Sequence, residues 1–172
     1  MTERIGSLEE FWPFYLSEHR DPTSRRLHFA GTTGFLASLV GAAVTNPIGL
    51  PLAAAGFAAV LKRGLDAEKD APPFAHVAAL LGIGTLASPV FFPVGVTCAY
   101  GFAWAGHFGF EKNRPASFRY PLYSLTSDFK MYARMLRGQL WDGDPLEELG
   151  LDDPTVARES SPPPADPAAV LN

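Results

Sequence analysis

The residues best suited to chemistry lie in the segment 106–116, where a histidine ends a long apolar run. His107 is followed four positions later by Glu111, and residues i and i+4 of an α-helix lie on the same face. An imidazole and a carboxylate at this spacing can bind a metal ion or carry a proton. The pair also lies where uncharged sequence gives way to charged sequence, which is typical of membrane enzymes that meet water at the membrane surface.

Three further histidines occupy comparable boundaries. His19 ends an N-terminal helical pattern, His28 opens the first apolar run, and His76 lies near the start of a later apolar segment. Imidazole is the commonest metal ligand and is costly to bury unpaired. Taken together the histidines predict a metal site at one face of the protein. For any one of them, a capped helix end or an interfacial hydrogen bond is the simpler interpretation.

Two long stretches without charge determine the predicted fold. No Asp, Glu, Lys or Arg occurs in 27–61 or 71–110, and a membrane-spanning helix needs about 20 apolar residues. A Pro-x-x-x-Pro pattern breaks each stretch, at 47–51 and at 89–93, and such prolines end one helix and start another. The sequence therefore predicts an all-α, multi-pass membrane bundle of two helical hairpins. Four spans are expected at about 27–45, 48–62, 74–88 and 92–110.

Basic residues set the predicted orientation, because they flank the spans but are missing from the hairpin tips. By the positive-inside rule, both termini and the central loop face the cytoplasm. The second and third spans are short, so two re-entrant hairpins are the alternative to four spans. The Ala, Gly and Pro content favours a bacterial inner membrane, with the endoplasmic reticulum as the eukaryotic counterpart. The basic residues are Arg25, Arg26, Lys62, Arg63, Lys112, Arg114 and Arg119.

Two amphipathic segments flank the predicted spans. Helices at about 7–20 and 121–141 carry aromatic and leucine stripes, which fit helices lying at the membrane interface. A helix packed on a protein core is the alternative for each. We expect a single helical membrane domain over 1–150, followed by a disordered Pro-rich tail over 151–172.

Several function classes are excluded or disfavoured. The net charge of −4 offers no basic stripe for a nucleic acid. The single cysteine, Cys98, excludes an intrachain disulfide and a multi-cysteine zinc site. No signal peptide, phosphate-binding loop or Gly-x-Ser-x-Gly nucleophile motif is recognisable.

A ridge of small residues leads to the histidine of the opening segment. Gly95, Ala99 and Ala103 precede His107 and Glu111 at intervals of four. Small residues on one helical ridge let a neighbouring helix approach closely, so the ridge is expected to direct His107 and Glu111 into the bundle. The arginine-rich turn between His19 and His28, with Arg20, Arg25 and Arg26, suits a substrate carboxylate or, equally, lipid headgroups.

The motifs resemble one known family. The segments 14–19 and 25–28, and above all the block Gly-His-x-x-Phe-Glu-Lys-x-Arg-Pro-Ala at 106–116, are similar to the 2-hydroxy fatty acid dioxygenases over about residues 8–136. The chain looks like a short, bacterial-type member. The resemblance implies an Fe(2+)-dependent enzyme of fatty acid α-oxidation, which shortens a 2-hydroxy fatty acid by one carbon with O₂. It also implies that His19, His28 and His107 bind the iron.

Other roles follow from this resemblance as expectations. Glu111 and Arg114 are expected to act in catalysis, and Glu111 either binds the metal or orients an imidazole that does. His76 is a lesser candidate ligand. The expected partners are a 2-hydroxy fatty acid, O₂ and the lipid bilayer, and a homo-oligomer is compatible with the sequence. The competing hypotheses are a non-catalytic membrane scaffold or permeation protein and a zinc-dependent membrane hydrolase.

Overall fold

The computed structural model describes residues 4–154, and every regular element in that range is helical. The predicted all-α class is therefore confirmed. A π-helical turn, His107–Glu111, extends the fifth helix, and a 3-10 turn, Ala116–Phe118, precedes the sixth. The helices of the described range are α1 (Leu8–Ser17), α2 (Pro22–Thr45), α3 (Gly49–Glu68), α4 (Phe74–Ala87), α5 (Phe91–Gly106), α6 (Pro121–Leu136) and α7 (Pro145–Leu149).

The helices α2–α3 and α4–α5 form two hairpins whose tips lie side by side. The chain breaks at Asn46 and Ser88, directly before the prolines of the two repeated patterns. The Asn46 amide donates a hydrogen bond to the carbonyl of Ala87 at 2.9 Å, and its oxygen accepts one from the Gly49 N–H at 2.9 Å. Both proline breaks therefore form the same end of the bundle.

Apolar side chains are exposed around these tips. One helix, α2, is long and apolar enough to cross a membrane by length and composition. The helices α4 and α5 have 14 and 16 residues, hence about 21 and 24 Å, against a hydrocarbon core of about 30 Å. The four-span topology therefore stays a prediction. These exposed side chains include Val44, Ile48, Leu52, Leu86, Val90 and Val94.

The predicted small-residue ridge of α5 faces α2. A Cβ atom added at Gly31 would lie 3.0 Å from the carbonyl oxygen of Ala99, and one added at Gly95 would lie 2.0 Å from the Ser38 hydroxyl. The two backbones approach closely because these glycines have no side chain. This seam, the most extensive helix contact of the fold, brings the end of α5 beside the start of α2.

At the opposite end of the bundle, α1, α6 and α7 enclose an aromatic and aliphatic core. Each fully buried large apolar side chain contributes roughly 1.5–3 kcal/mol. Because one face of α1 lies in this core, the structure favours the core-packed alternative for this helix over a purely interfacial one. The core residues include Phe11, Trp12, Tyr15, Leu16, Tyr120, Tyr123, Met131, Met135, Leu140 and Leu146.

The structure corrects the predicted apolar stripe of the sixth helix, which in the sequence runs through Leu122, Leu125, Phe129, Tyr132, Leu136 and Leu140. Leu122 is buried, but Leu136 is 64% exposed, and the face toward α1 carries Tyr123, Ser127, Met131 and Met135 instead. The helix ends at Leu136 rather than near residue 141, because Gly138 and Leu140 have φ angles of 82° and 62° that no α-helix contains. Most of the predicted tail, 155–172, lies outside the described residues.

A buried carboxylate holds the start of α6. The side chain of Glu68 accepts hydrogen bonds from the N–H groups of Leu122 at 3.0 Å and Tyr123 at 2.5 Å. These are free donors of the first helical turn, where the helix dipole also favours negative charge. Burial nevertheless raises the pKa of Glu68 to about 7, since desolvation outweighs the two hydrogen bonds.

We expect Glu68 to make stability fall as pH rises from about 4.5 to about 7. The unfolded chain loses this proton near the ordinary value of 4.5, whereas the folded chain keeps it to about 7, so the proton stabilises the fold at low pH. Thermal unfolding of the wild type and Glu68→Gln across this range measures the effect. The stability of the wild type relative to the variant should fall with pH, and a constant or rising difference would contradict the assignment.

The α2–α5 seam predicts a contrast between two glycines. Gly31→Ala should lower the free energy of unfolding by about 1–3 kcal/mol, because the new methyl group meets backbone of α5. Gly101→Ala is the matched control within α5, where an added Cβ meets nothing within 4 Å and should be neutral or stabilise by up to about 1 kcal/mol. The free energy of unfolding in detergent measures both effects. Equal effects of the two substitutions would contradict the close packing of α2 on α5.

Candidate metal centre

Three histidines from distant parts of the chain meet at the charged end of the bundle. His19 follows the end of α1, His28 lies in the second turn of α2, and His107 begins the π-helical turn after α5. Their side chains are 1%, 6% and 3% exposed. The ring centroids lie 4.6 Å apart for His19–His28 and His19–His107, and 5.2 Å apart for His28–His107.

The protein fixes the ring orientation of His19 and His28 through their Nδ1 atoms. Nδ1 of His19 lies 2.6 Å from the carbonyl oxygen of Tyr15, and Nδ1 of His28 lies 2.7 Å from Oδ1 of Asp128. A carbonyl and a carboxylate only accept hydrogen bonds, so in a neutral ring Nδ1 carries the proton and Nε2 keeps its lone pair. The same carboxylate accepts hydrogen bonds from the hydroxyls of Tyr15 at 3.2 Å and Thr32 at 2.5 Å.

Asn113 holds the third imidazole in the same way. Its amide nitrogen donates to the backbone carbonyl of Glu18 at 2.8 Å and to the Glu18 carboxylate at 3.0 Å. These contacts assign the amide orientation, which leaves Oδ1 facing Nδ1 of His107 at 2.7 Å. The lone pair of His107 therefore also lies on Nε2.

The π-helical turn is what brings Asn113 beneath His107. The N–H groups of Lys112 and Asn113 both bond to the carbonyl of His107, which widens the last turn of the helix. Lys112 then takes a left-handed conformation, with φ 57°, and reverses the chain. Such π-helical turns are frequent at functional sites. The i, i+4 geometry expected for His107 and Glu111 in a regular α-helix is therefore wrong here.

The three imidazoles form a candidate site for one metal ion. One ring nitrogen from each histidine lies within 4.8 Å of the other two, so small movements of the rings would bring all three within about 2.1 Å of a single ion. The Nε2 atoms of His19 and His28 are buried without a hydrogen-bond partner, a costly state unless a cation binds them. Burial and the neighbouring His28 and His107 lower the pKa of His19, which keeps it neutral, as a ligand must be.

A partly open cavity lies beside the three imidazoles. Asp128 is its one acidic residue, and no Lys or Arg lines it. The hydroxyl of Ser124, which also lines the cavity, is buried and has no partner among the described residues. The cavity thus combines an apolar wall with a few unsatisfied polar groups.

The predicted catalytic residues lie outside this cavity. The Glu111 carboxylate accepts a hydrogen bond from the Asp21 N–H at 3.0 Å, at the start of α2, and burial raises its pKa. Arg114 is exposed, and its guanidinium stacks on the Phe118 ring at 4.8 Å. Neither residue contacts an imidazole of the site in the described structure, so their catalytic role stays a prediction.

His76 and the arginine-rich turn also lie away from the histidine group. His76 packs against Gly64 of α3 and is not a member of the metal-binding group among the described residues. Arg25 is buried and donates to four backbone carbonyls, including those of His19 and Leu140. Arg20 pairs with Asp144 and Asp153, and Arg26 with Asp142. The suggested capture of a carboxylate by these arginines is therefore not supported.

The residues that orient the imidazoles were not singled out by sequence. No local sequence pattern relates Asp128 to His28, which lies 100 positions away. Asp128 does stand out as the one acidic residue of α6. Asn113 lies within the 106–116 motif, but a regular helix would have pointed to Glu111 as the partner of His107.

A helical protein with a buried three-histidine site is the class that this geometry defines. A family model, 2-hydroxy-palmitic acid dioxygenase Mpo1-like, matches residues 5–140. The chain belongs to this Mpo1-like family, as the resemblance of its motifs indicated. Searches of the curated proteins and of the solved structures gave no match.

The site predicts how metal binding responds to substitution. His107→Ala should abolish stoichiometric binding, and Asp128→Ala should weaken it by about 10–100-fold, because the carboxylate orients His28. His76→Ala is the control and should bind like the wild type, since His76 lies outside the group.

Anaerobic titration with ferrous iron or cobalt, in competition with a chelator, measures these affinities. Full binding by the His107 variant, or equal losses in the His76 control, would show that the three histidines are not the site.

Proposed function

We propose that this protein is an iron(II)-dependent dioxygenase that shortens 2-hydroxy fatty acids by one carbon. The observation that carries the proposal is the convergence of three buried imidazoles beside an apolar cavity, with the Nε2 atoms of His19 and His28 left without a partner among the described residues. The family name, 2-hydroxy-palmitic acid dioxygenase Mpo1-like, supports the substrate class and the reaction.

Neutral imidazoles suit ferrous iron, and His19, His28 and His107 would hold it. When bound, the ion would supply open coordination positions for the hydroxyl and carboxylate of the substrate and for O₂. The reaction balances without another reductant, because R–CH(OH)–COOH and O₂ give R–COOH, CO₂ and H₂O. The substrate therefore provides all the electrons.

The residues of the chain have distinct parts in this proposal. Tyr15, Asp128 and Asn113 hold the Nδ1 protons, so that all three Nε2 atoms stay available to one ion. The free hydroxyl of Ser124 lies where it can donate to the polar head of the substrate. Because no Lys or Arg lines the cavity, the charge of the substrate carboxylate would be balanced at the metal centre.

Glu111 would support the site indirectly rather than react. Its bond to the Asp21 N–H ties the π-helical turn to the start of α2, and therefore holds His107 near His28. Arg114 would extend over Phe118 at the protein surface and contact lipid headgroups there. For both residues this replaces the expected direct part in catalysis.

The proposed setting is a membrane, with the metal centre at the cytoplasmic face. The exposed apolar residues at the hairpin tips would lie in the hydrocarbon, while the basic residues and the histidines lie at the opposite end. A fatty acid dissolved in the bilayer would then present its polar head at the depth of the site. The scaffold or permeation alternative gives no reason for three clustered, buried imidazoles, two of which have an unpartnered Nε2 atom.

Oxygen consumption tests the proposal most simply. The iron-loaded protein should consume one O₂ per 2-hydroxypalmitate and release the acid one carbon shorter, measured with an oxygen electrode and mass spectrometry. His28→Ala should lower the rate by at least about 100-fold, because a ligand is lost, whereas His76→Ala should retain it. A protein that binds iron stoichiometrically yet consumes no O₂ with any 2-hydroxy acid would overturn the proposed reaction.

A further inference from the structure

A second cavity lies next to the metal-site cavity, within the bundle. The two cavities have wall residues of α2, α5 and α6 in common, so they adjoin each other. Beyond these walls, the second cavity extends to α3 and α4. The shared residues are Thr32, Ala99, Tyr100, Leu125 and Asp128.

The second cavity is apolar beyond the shared wall. Asp128, its one charged residue, is already engaged by His28, Tyr15 and Thr32. A polar occupant would therefore lose its hydration without replacement, at a cost of several kcal/mol, whereas a hydrocarbon chain would not. The side chains that line it away from the site include Phe57, Val77, Leu80, Leu81, Phe92 and Val96.

The length of the combined space suits a long acyl chain. His107 at one end and Phe92 at the other are 15 positions apart along α5 and its π-helical extension, hence about 22 Å. An extended palmitoyl chain is of comparable length. The carboxyl end would then lie at the imidazoles while the methyl end reaches the hairpin tips.

Phe92 closes the far end because three neighbours fix its ring. Its ring packs edge-on against the rings of Phe35 and Phe57, with centroid separations of 6.0 Å and 6.5 Å. On the α4 side it occupies the space left by Gly84, where an added Cβ would lie 2.3 Å from the ring. The ring is therefore a stop with little room to move.

We infer that the second cavity binds the acyl chain of the substrate, and that Phe92 sets the longest chain accepted. The identity of the polar head group rests on the proposed function. The limit on acyl chain length follows from the cavity and can be tested separately. Val96, one turn from Phe92 and on the cavity wall, controls how far a chain can enter.

A matched pair of valines on α5 tests the inference. Val96→Trp places an indole in the second cavity, whose wall Val96 forms. Val94→Trp places the same indole at a position where the native side chain is 59% exposed. Both variants are prepared as the iron-loaded, full-length protein in lipid nanodiscs. Turnover of 2-hydroxypalmitate and 2-hydroxyoctanoate is compared, and equilibrium binding of radiolabelled palmitic and octanoic acids, which lack the 2-hydroxyl, is measured beside it.

Val96→Trp should lower the palmitate-to-octanoate ratio by about tenfold or more in both assays, because the indole would fill space that only the longer chain needs. Val94→Trp should leave the ratio within about twofold of the wild type. If Val96→Trp fails to fold, Phe92→Ala replaces it and should extend acceptance to 2-hydroxytetracosanoate. An unchanged chain-length preference in the folded Val96 variant, or in Phe92→Ala, would overturn the inference.

The two assays separate this inference from the proposed reaction. If no protein turns over any 2-hydroxy acid, but Val96→Trp still loses palmitate binding selectively, the acyl site stands and the dioxygenase proposal fails. If the wild type is active and Val96→Trp keeps its full preference for long chains, the dioxygenase stands and the acyl site fails.

Discussion

Three hydrogen bonds donated by imidazole Nδ1–H groups are the constraint on which the rest of this structure depends. The acceptors are the Tyr15 carbonyl, the Asp128 carboxylate and the Asn113 amide, and they come from three different parts of the chain. Together they place the Nε2 lone pairs of His19 and His28 in a buried space without partners, beside that of His107. No protein group among the described residues compensates the Nε2 atoms of His19 and His28, so a bound cation is the simplest physical reason for the arrangement.

The two ends of the helical bundle contribute differently to this arrangement. At the hairpin tips the helices expose apolar side chains and are joined by Asn46. At the other end, α1 and α6 build a buried core, and Glu68 holds the start of α6 so that Asp128 reaches His28. The glycines of the α2–α5 seam allow the close approach that sets His107 beside His28. Two adjoining cavities lie between these ends, one beside the three histidines and one lined mainly by apolar side chains.

Sequence alone predicted what depends on local pattern. Uncharged stretches and paired prolines indicated the helical hairpins, and the motif around His107 indicated the family and the three histidines. Sequence patterns do not predict contacts set by tertiary packing, such as that of Asp128 with His28, because no local spacing relates residues 100 positions apart. The π-helical turn was also hidden, because it is a departure from the regular helix that the i, i+4 argument assumes. That departure is why Asn113, rather than Glu111, orients His107.

The central claim is that His19, His28 and His107 bind one metal ion through Nε2. X-ray absorption spectroscopy of the anaerobic, iron-loaded protein tests it directly. We expect one iron per chain, scattering from three imidazole rings with iron–nitrogen distances of about 2.1 Å, and loss of one ring's contribution if iron is retained in His107→Ala. A spectrum with one imidazole or none, or one unchanged by that substitution, would contradict a site formed by the three histidines.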